Sequence, residues 1–233
     1  MSTDADSSGS AVVLFSGGQD STTCLFWAKG RFAAVSALAF DYGQRHAVEL
    51  RQARIVADLA GVPFETMDIR GLLGNSALLA IEGGNVNAPH AADATLPASF
   101  VPGRNLLFLT LAAIAAYNQG IADLVTGMCQ TDFSGYPDCR RAFADSLETT
   151  LALALAPRPF RIHTPLMDLD KADTFRMAEE LGVLDIVLEH SHTDYHGDRS
   201  ERHPWGYGKL DNPASRLRAE GWAEFRRRHH GGE

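Results

Sequence analysis

"LFSGGQDSTTCL", Leu14 to Leu25, decides the fold. It continues the apolar run "AVVLF" (Ala11–Phe15), which reads as a buried parallel strand ending at two glycines. A helix from about Asp20 to near Gly30 follows. Gly17 and Gly18 let the backbone turn tightly and approach a ligand closely. Unpaired N–H groups at the helix start favour an anion by roughly 0.3–1 kcal/mol when exposed and up to about 2 when partly buried. Ser16, Ser21 and Thr22 add hydroxyl donors to this turn. No Gly-Lys-Ser/Thr follows, so the loop is not of the Walker A type.

Working outward, strands and helices alternate. "AAVSALAF" (Ala33–Phe40) reads as a second strand, "HAVELRQARIVADLAG" as an amphipathic helix closed by Gly61, and "FETMDI" (Phe64–Ile69) as a third strand. Residues 83–100 have no periodicity and form a long loop. A helix from about Gly103, the strand "ADLVTG" (Ala122–Gly127), a helix over Arg141–Leu155, the strand "RIHTPL" (Arg161–Leu166) and the helix "DKADTFRMAEELG" complete the series. This order predicts an α/β fold: an open parallel sheet with helices on both faces, its ligand at the carboxyl ends of the strands. Past Leu188 the pattern dissolves into His, Asp, Gly and Arg. The expected organisation is a disordered leader over 1–10, a nucleotide-binding domain over 11–188 and a small C-terminal subdomain over 189–233.

Composition bounds the partners. The chain has 233 residues, 45% hydrophobic and 21% charged, with a net charge of −8, which suits a globular protein and argues against a general nucleic-acid or membrane-surface binder. The basic end "RLRAEGWAEFRRRHH" reads as a solvated helix. "LLFLTLAAIAAY" (Leu106–Tyr117) falls short of the roughly 20 apolar residues a membrane span needs. With no export signal and three cysteines, Cys24, Cys129 and Cys139, the expected setting is a reducing cytoplasm. Cys129 and Cys139 read as buried small hydrophobes.

"SGGQDS" resembles the pyrophosphate-binding loop of the ATP pyrophosphatase superfamily, whose members adenylate a carboxylate or carbonyl oxygen. Four further segments narrow the likeness: "FDYGQRH" (Phe40–His46), "FVPGRNLLFLTLAA" (Phe100–Ala113), "TDFSGYPDCR" (Thr131–Arg140) and "TPLMDLDKAD" (Thr164–Asp173). From Ala11 to Phe225 the set resembles the 7-cyano-7-deazaguanine synthase family. The resemblance implies a Rossmann-like sheet of the adenine nucleotide alpha hydrolase kind. It also implies the reaction: ATP adenylates 7-carboxy-7-deazaguanine, ammonia displaces AMP to give an amide, and a second adenylation leads to the nitrile. Two other readings stay open: a paralogue that stops at the amide or passes the activated base to another nucleophile, and a nucleotide binder without turnover.

Roles follow from that chemistry. Phe15, Ser16, Gly17, Gly18, Gln19, Asp20, Ser21 and Thr22 hold ATP, with Asp20 also a candidate Mg²⁺ ligand. Tyr42, Gln44 and Arg45 line the nucleotide site. Arg104 and Lys171 offset charge on the phosphates and, with Asp20, form the catalytic set. Gln130, Asp132, Ser134, Tyr136 and Asp138 offer a carboxylate, an amide and an aromatic face to a guanine-like base, Asp132 and Asp138 above all. The resemblance implies a homodimer as well.

One part of the pattern breaks. The family resemblance implies a structural zinc held by four cysteines, one upstream and three in a C-x-x-C-x-x-C cluster. Here those positions fall on Asp194 in "HTDYHG" (His192–Gly197) and on Lys209, Asn212 and Ser215 in "GYGKLDNPASRLRAEGW" (Gly206–Trp222). A structural zinc contributes roughly 10–16 kcal/mol to ordering a small module. A Lys ammonium has no lone pair to give, and Asn and Ser are poor zinc ligands. His190, His192, His196 and His203 lie nearby with Asp194 and Asp198; only His192–His196 has a known ligand spacing, H-x-x-x-H, and its context is not helical. The expectation is a tail without zinc, either held by packing of Trp205, Tyr207 and Trp222 or mobile.

Overall fold

The computed structural model describes residues 9–43, 48–72, 100–130, 136–155, 159–194 and 197–231. Five strands, β1 (Ser10–Leu14), β2 (Ala34–Asp41), β3 (Phe64–Asp68), β4 (Asp123–Val125) and β5 (Arg161–His163), form one sheet in the order β3-β2-β1-β4-β5. All four pairings are parallel; Val13 sits opposite Ala37 on one side and Val125 on the other. The chain builds outward from β1 to β3, then returns to add β4 and β5 on the other side of β1. The connections therefore diverge at the β1/β4 boundary, which opens a crevice at the carboxyl ends of these strands.

The two faces of the sheet carry separate cores, as the strand period of two requires. Val12, Leu38, Phe40 and Leu124 pack with Leu109, Ala112 and Ala116 of α3 (Arg104–Asn118) and Leu147 and Leu151 of α4 (Arg141–Ala154). Ala11, Val13, Phe15 and Ala37 point the other way, onto Leu25 and Ala28 of α1 (Gln19–Lys29) and Ala53, Val56 and Ala57 of α2 (Val48–Ala60). Burying each large aliphatic side chain contributes about 1.5–3 kcal/mol, so both helical layers are fastened to the sheet. The expected doubly covered parallel sheet is the observed one.

Several expectations change at the edges. β4 and β5 are shorter than their apolar runs: Thr164–Leu166 leave the sheet in a turn closed by Met167 N–H on the Thr164 carbonyl (3.1 Å). Residues 83–99 of the expected loop lie outside the described residues. Beyond α5 (Lys171–Glu180) comes an unexpected short helix, α6 (Leu184–His190), which runs across position 188. A small antiparallel hairpin, β6 (Arg202–His203) with β7 (Gly206–Tyr207), and α7 (Pro213–His229) follow.

The C-terminal helix is not merely solvated. Phe225 of α7 is fully buried in a third cluster with Phe175, Ala172 and Ala178 of α5 and Val187 and Leu188 of α6. Trp222 meets the Phe175 ring edge-on at 5.2 Å. One apolar face in a charged stretch was enough to seat the helix; its Arg and Glu residues mask that face in the composition. Arg218 lies beneath it, fully buried, donating to the carbonyls of Val187 (2.9 Å) and Trp205 (2.8 Å) and to the hydroxyls of Ser191 and Thr193. Arg199 donates to the carbonyls of Glu189 (2.6 Å) and Ser191 (3.0 Å). The carbonyls at the end of α6, which have no partners within the helix, are thus capped by two guanidinium groups. Burial pushes Arg218 down to about 9, still a cation near neutral pH.

Candidate functional site

The crevice holds a cavity of about 380 Å³, within the range of small-molecule sites. Its floor is the loop between β1 and α1. Gly17 has φ +78°, and a Cβ there would come within 2.7 Å of the Ala53 backbone nitrogen, so only glycine fits. Ser21 ties the loop together: its Oγ accepts from Ser16 N–H (3.3 Å) and donates to the Gly18 carbonyl (3.2 Å). No side chain among the described residues caps α1, whose N-cap is Gly18.

The loop's remaining polar atoms are under-used. Both amide atoms of Gln19, Asp20 Oδ1 and Thr22 Oγ1 are buried without a hydrogen-bond partner among the described residues. Each such atom costs about 1–3 kcal/mol, a cost a bound phosphate or cation would offset. An orphaned carboxylate oxygen suits Mg²⁺, a hard cation that takes oxygen ligands.

Two cations from distant elements line the same cavity as the loop. Lys171, the first residue of α5, donates from Nζ to Asp20 Oδ2 at 2.6 Å, across 151 residues of sequence. Asp170 accepts from Asp173 N–H (2.8 Å) as the helix cap and from Arg228 of α7 (2.8 Å), which fixes where α5 begins. Gly221 of α7 lies against the Lys171 side chain and backbone, where any Cβ would collide. Arg104 opens α3 and hydrogen-bonds Tyr42, with Glu49 of α2 nearby in charge. Burial, then the charge of Glu49, pushes the Tyr42 phenol up to about 12 against the pull of Arg104. Burial also lifts the Glu49 carboxyl to about 7 despite Arg104.

Of the residues expected from sequence, Phe15, Ser16, Gly18, Gln19, Asp20, Ser21, Tyr42, Arg104, Tyr136 and Lys171 line this one cavity. Gly17, in the loop, and Thr22, in the first turn of α1, do not line it. Gln44, Arg45, Asp132 and Ser134 lie outside the described residues. Two residues expected to face the base do not line the cavity. Asp138 Oδ2 accepts from Asn105 N–H (3.0 Å), where it caps the start of α3, and exposed Gln130 bonds Asp168 (2.7 Å) and Arg141 N–H (3.2 Å). Both are occupied in holding neighbouring elements. Cys129 is buried, as expected, and Cys139 is half-buried; both also line the cavity, with Cys129 Sγ 2.9 Å from the Leu169 carbonyl and Cys139 Sγ 3.2 Å from the Asn105 amide nitrogen.

Among the lining residues that the sequence did not single out as part of the site are Glu49 and His192. His192 Nε2 lies 2.8 Å from the Asp194 carbonyl, which assigns the proton to Nε2. Nδ1 is buried with no partner among the described residues, and burial holds the imidazole pKa down at about 4. The His192 backbone N–H donates to the Gly17 carbonyl (2.9 Å), so the tail grips the loop directly. No local pattern announces this contact.

Below His192 the four altered positions converge. Asp194 Oδ2 accepts from Lys209 N–H (3.1 Å), Asn212 Nδ2 (2.8 Å) and Ser215 Oγ (3.1 Å), while Asn212 Oδ1 accepts from Ser215 N–H (3.0 Å) as the cap of α7. Asp194, Asn212 and Ser215 are at most 1% exposed. The Lys209 ammonium turns outward to Asp198 at 2.5 Å.

A parallel sheet whose switch-point loop presents unpaired donors and a carboxylate, with Lys171 and Arg104 brought beside it, defines a nucleotide-binding α/β protein of the ATP pyrophosphatase kind. The comparisons narrow the class. The family model described as queuosine biosynthesis protein QueC matches residues 10–226. The 7-cyano-7-deazaguanine synthase of Wolinella succinogenes is 49% identical over 94% of this chain and 94% of its own. The 7-cyano-7-deazaguanine synthase 1 of Rhodopseudomonas palustris is 50% identical over 94% of this chain and 95% of its own, and that of Nitrobacter hamburgensis 50% over 96% and 98%. The chain belongs to the QueC family of 7-cyano-7-deazaguanine synthases.

Proposed function

We propose that this chain converts 7-carboxy-7-deazaguanine and ammonia into 7-cyano-7-deazaguanine at the expense of ATP. The observation that carries the reading is the loop over Ser16–Thr22, which buries unpaired polar atoms while Lys171 and Arg104 line the same cavity. An enzyme that expels oxygen from a carboxylate needs a site for a departing pyrophosphate rather than a nucleophilic Ser or Cys.

The loop N–H groups and the Ser16 and Ser21 hydroxyls would receive the β- and γ-phosphates, and Lys171 and Arg104 would offset charge developing as the α-phosphate transfers. The substrate carboxylate attacks the α-phosphorus, and pyrophosphate leaves. Ammonia then adds to the acyl carbon; the C–N bond forms as the C–O bond to AMP breaks, and nitrogen loses a proton. In the second round the amide oxygen attacks the α-phosphorus of another ATP, and pyrophosphate leaves again. AMP departs with that oxygen as two N–H protons are lost, leaving the nitrile. Asp20 Oδ1 would hold Mg²⁺, whose chemistry when bound is to neutralise phosphate charge. Tyr136, packed against Phe100 at 5.4 Å between ring centroids, offers the stacking face for the base, and Asp132 and Ser134 its polar contacts. Tyr42, Gln44 and Arg45 complete the nucleotide side.

The three cysteines are free, in keeping with a reducing cytoplasm, and the homodimer carries over from the resemblance. Among the described residues no helix is long and apolar enough to cross a membrane. Purified protein given ATP, Mg²⁺, ammonium and 7-carboxy-7-deazaguanine is expected to release AMP, pyrophosphate and the nitrile, followed by mass spectrometry. Amide as the end product, or ATP binding without AMP release, overturns the reading.

A further inference from the structure

Asp194, Lys209, Asn212 and Ser215 stand where the resemblance places the thiolates of a structural zinc. Metal ligands must aim lone pairs at one point. Here three of the four positions aim hydrogens: the Lys209 backbone N–H, the Asn212 amide and the Ser215 hydroxyl all donate to Asp194 Oδ2, at 3.1, 2.8 and 3.1 Å. The focus of the cluster is a carboxylate oxygen. The single oxygen of the Asn212 side chain is engaged by Ser215 N–H, and the Lys209 ammonium is paired with Asp198. This donor set does not fit a zinc ion.

We infer that the buried Asp194 carboxylate replaces the metal as the hub of the C-terminal module and, through His192, positions the pyrophosphate loop. A carboxylate accepting three hydrogen bonds can tie three chain segments together much as a metal does, because charge-assisted bonds are about twice as strong as neutral ones. The segments are the turn at 192–194, the stretch holding Lys209 and the first turn of α7. From the hub the path to the loop is short. The Asp194 carbonyl fixes the His192 ring at 2.8 Å, His192 N–H holds the Gly17 carbonyl at 2.9 Å, and the His192 carbonyl lies 3.3 Å from where a Gly18 Cβ would stand. Gly208, at φ +131°, lets the chain pass beside Asp194, since a Cβ there would sit 3.1 Å from its carboxylate. Asp194 is thus a positioning residue. The inference goes beyond the proposed reaction and does not rest on it.

The test uses the full chain purified from zinc-supplemented medium. Metal analysis is expected to find well under about 0.1 zinc per chain, and 1,10-phenanthroline is expected to leave the melting temperature unchanged within about 1 °C. Asp194→Ala, which orphans three donors, should lower the melting temperature by about 5–10 °C. Asp194→Asn should lower it by about half as much and, measured well below its melting point, weaken ATP binding by calorimetry about 3–10-fold, because the loop loses its support. One zinc per chain, or a melting temperature that drops with the chelator, overturns the hub. An Asp194→Asn protein that melts like the wild type overturns it as well, and wild-type ATP affinity in a destabilised Asp194→Asn overturns the link to the loop. Should Asp194→Ala fail to fold, the metal and chelator measurements on the unaltered chain still decide.

Discussion

The pyrophosphate loop and the tail hub are both clusters of polar side chains joined to His192, yet they are wired in opposite ways. In the loop, Gln19, Asp20 and Thr22 keep buried polar atoms without partners among the described residues. In the hub, Asp194, Asn212 and Ser215 bond one another at 2.8–3.2 Å, and the chain's own backbone supplies the remaining donor. Unpaired atoms cost stability and are kept where a ligand will pair them; paired ones stabilise the fold and have nothing left to offer a ligand. Similar residues therefore make a binding site in one place and a structural joint in the other.

The sharpest way to break this contrast is to empty the loop. Asp20→Asn or Lys171→Ala is expected to lower AMP release by about 10³-fold or more, since each removes charge held for the transferring phosphate. Circular dichroism should show the fold intact. An Asp20→Asn enzyme within tenfold of wild type would place the chemistry elsewhere.

A smaller effect tests whether the tail serves the loop from its second side. Gly221→Ala adds a methyl group where α7 meets Lys171, displacing the lysine from Asp20. A misplacement of about 1 Å can cost about 10²-fold, so kcat is expected to fall by roughly 10–100-fold. Melting temperature should move by only a few degrees. Unchanged kcat would mean that α5 takes up the strain without moving Lys171.

Smallest is the effect of Glu49, whose carboxyl is raised from the ordinary value near 4.5 to about 7 by burial. Between those values the folded chain binds the extra proton, so stability falls as pH rises from about 4.5 to about 7. Glu49→Gln should flatten that slope, read from urea melts at pH 5 and pH 7.5. An unaltered slope would assign the loss to other groups.

Much of the fold was legible because its signals are local. "AVVLF" before two glycines, the apolar run of Ala33–Phe40 and the amphipathic helices each show their period within a dozen residues. β4 and β5 were overread because an apolar run marks burial, not strand pairing, and Thr164–Leu166 are buried in a turn. α6 was missed: at seven residues, Leu184–His190, it is too short for a clear helical period. In the site, loop residues and Lys171 came from sequence motifs. Asp138 and Gln130 look equally suited to a base, but their partners, Asn105 and Asp168, lie 33 and 38 residues away.

The sequence by itself determined that a Ser-Gly-Gly loop ends the first strand, that strands and helices alternate, and that the four positions where the resemblance implies thiolates hold no cysteine. Those are statements about residue type and spacing along one chain. Only the tertiary structure decided that β1 is central and that Lys171 meets Asp20 across 151 residues. It alone turned the Asp194 carboxylate toward three donors and left the loop's polar atoms without them. Whether a polar atom is paired depends on what long-range packing brings within about 3 Å, and residue spacing along the chain does not specify that.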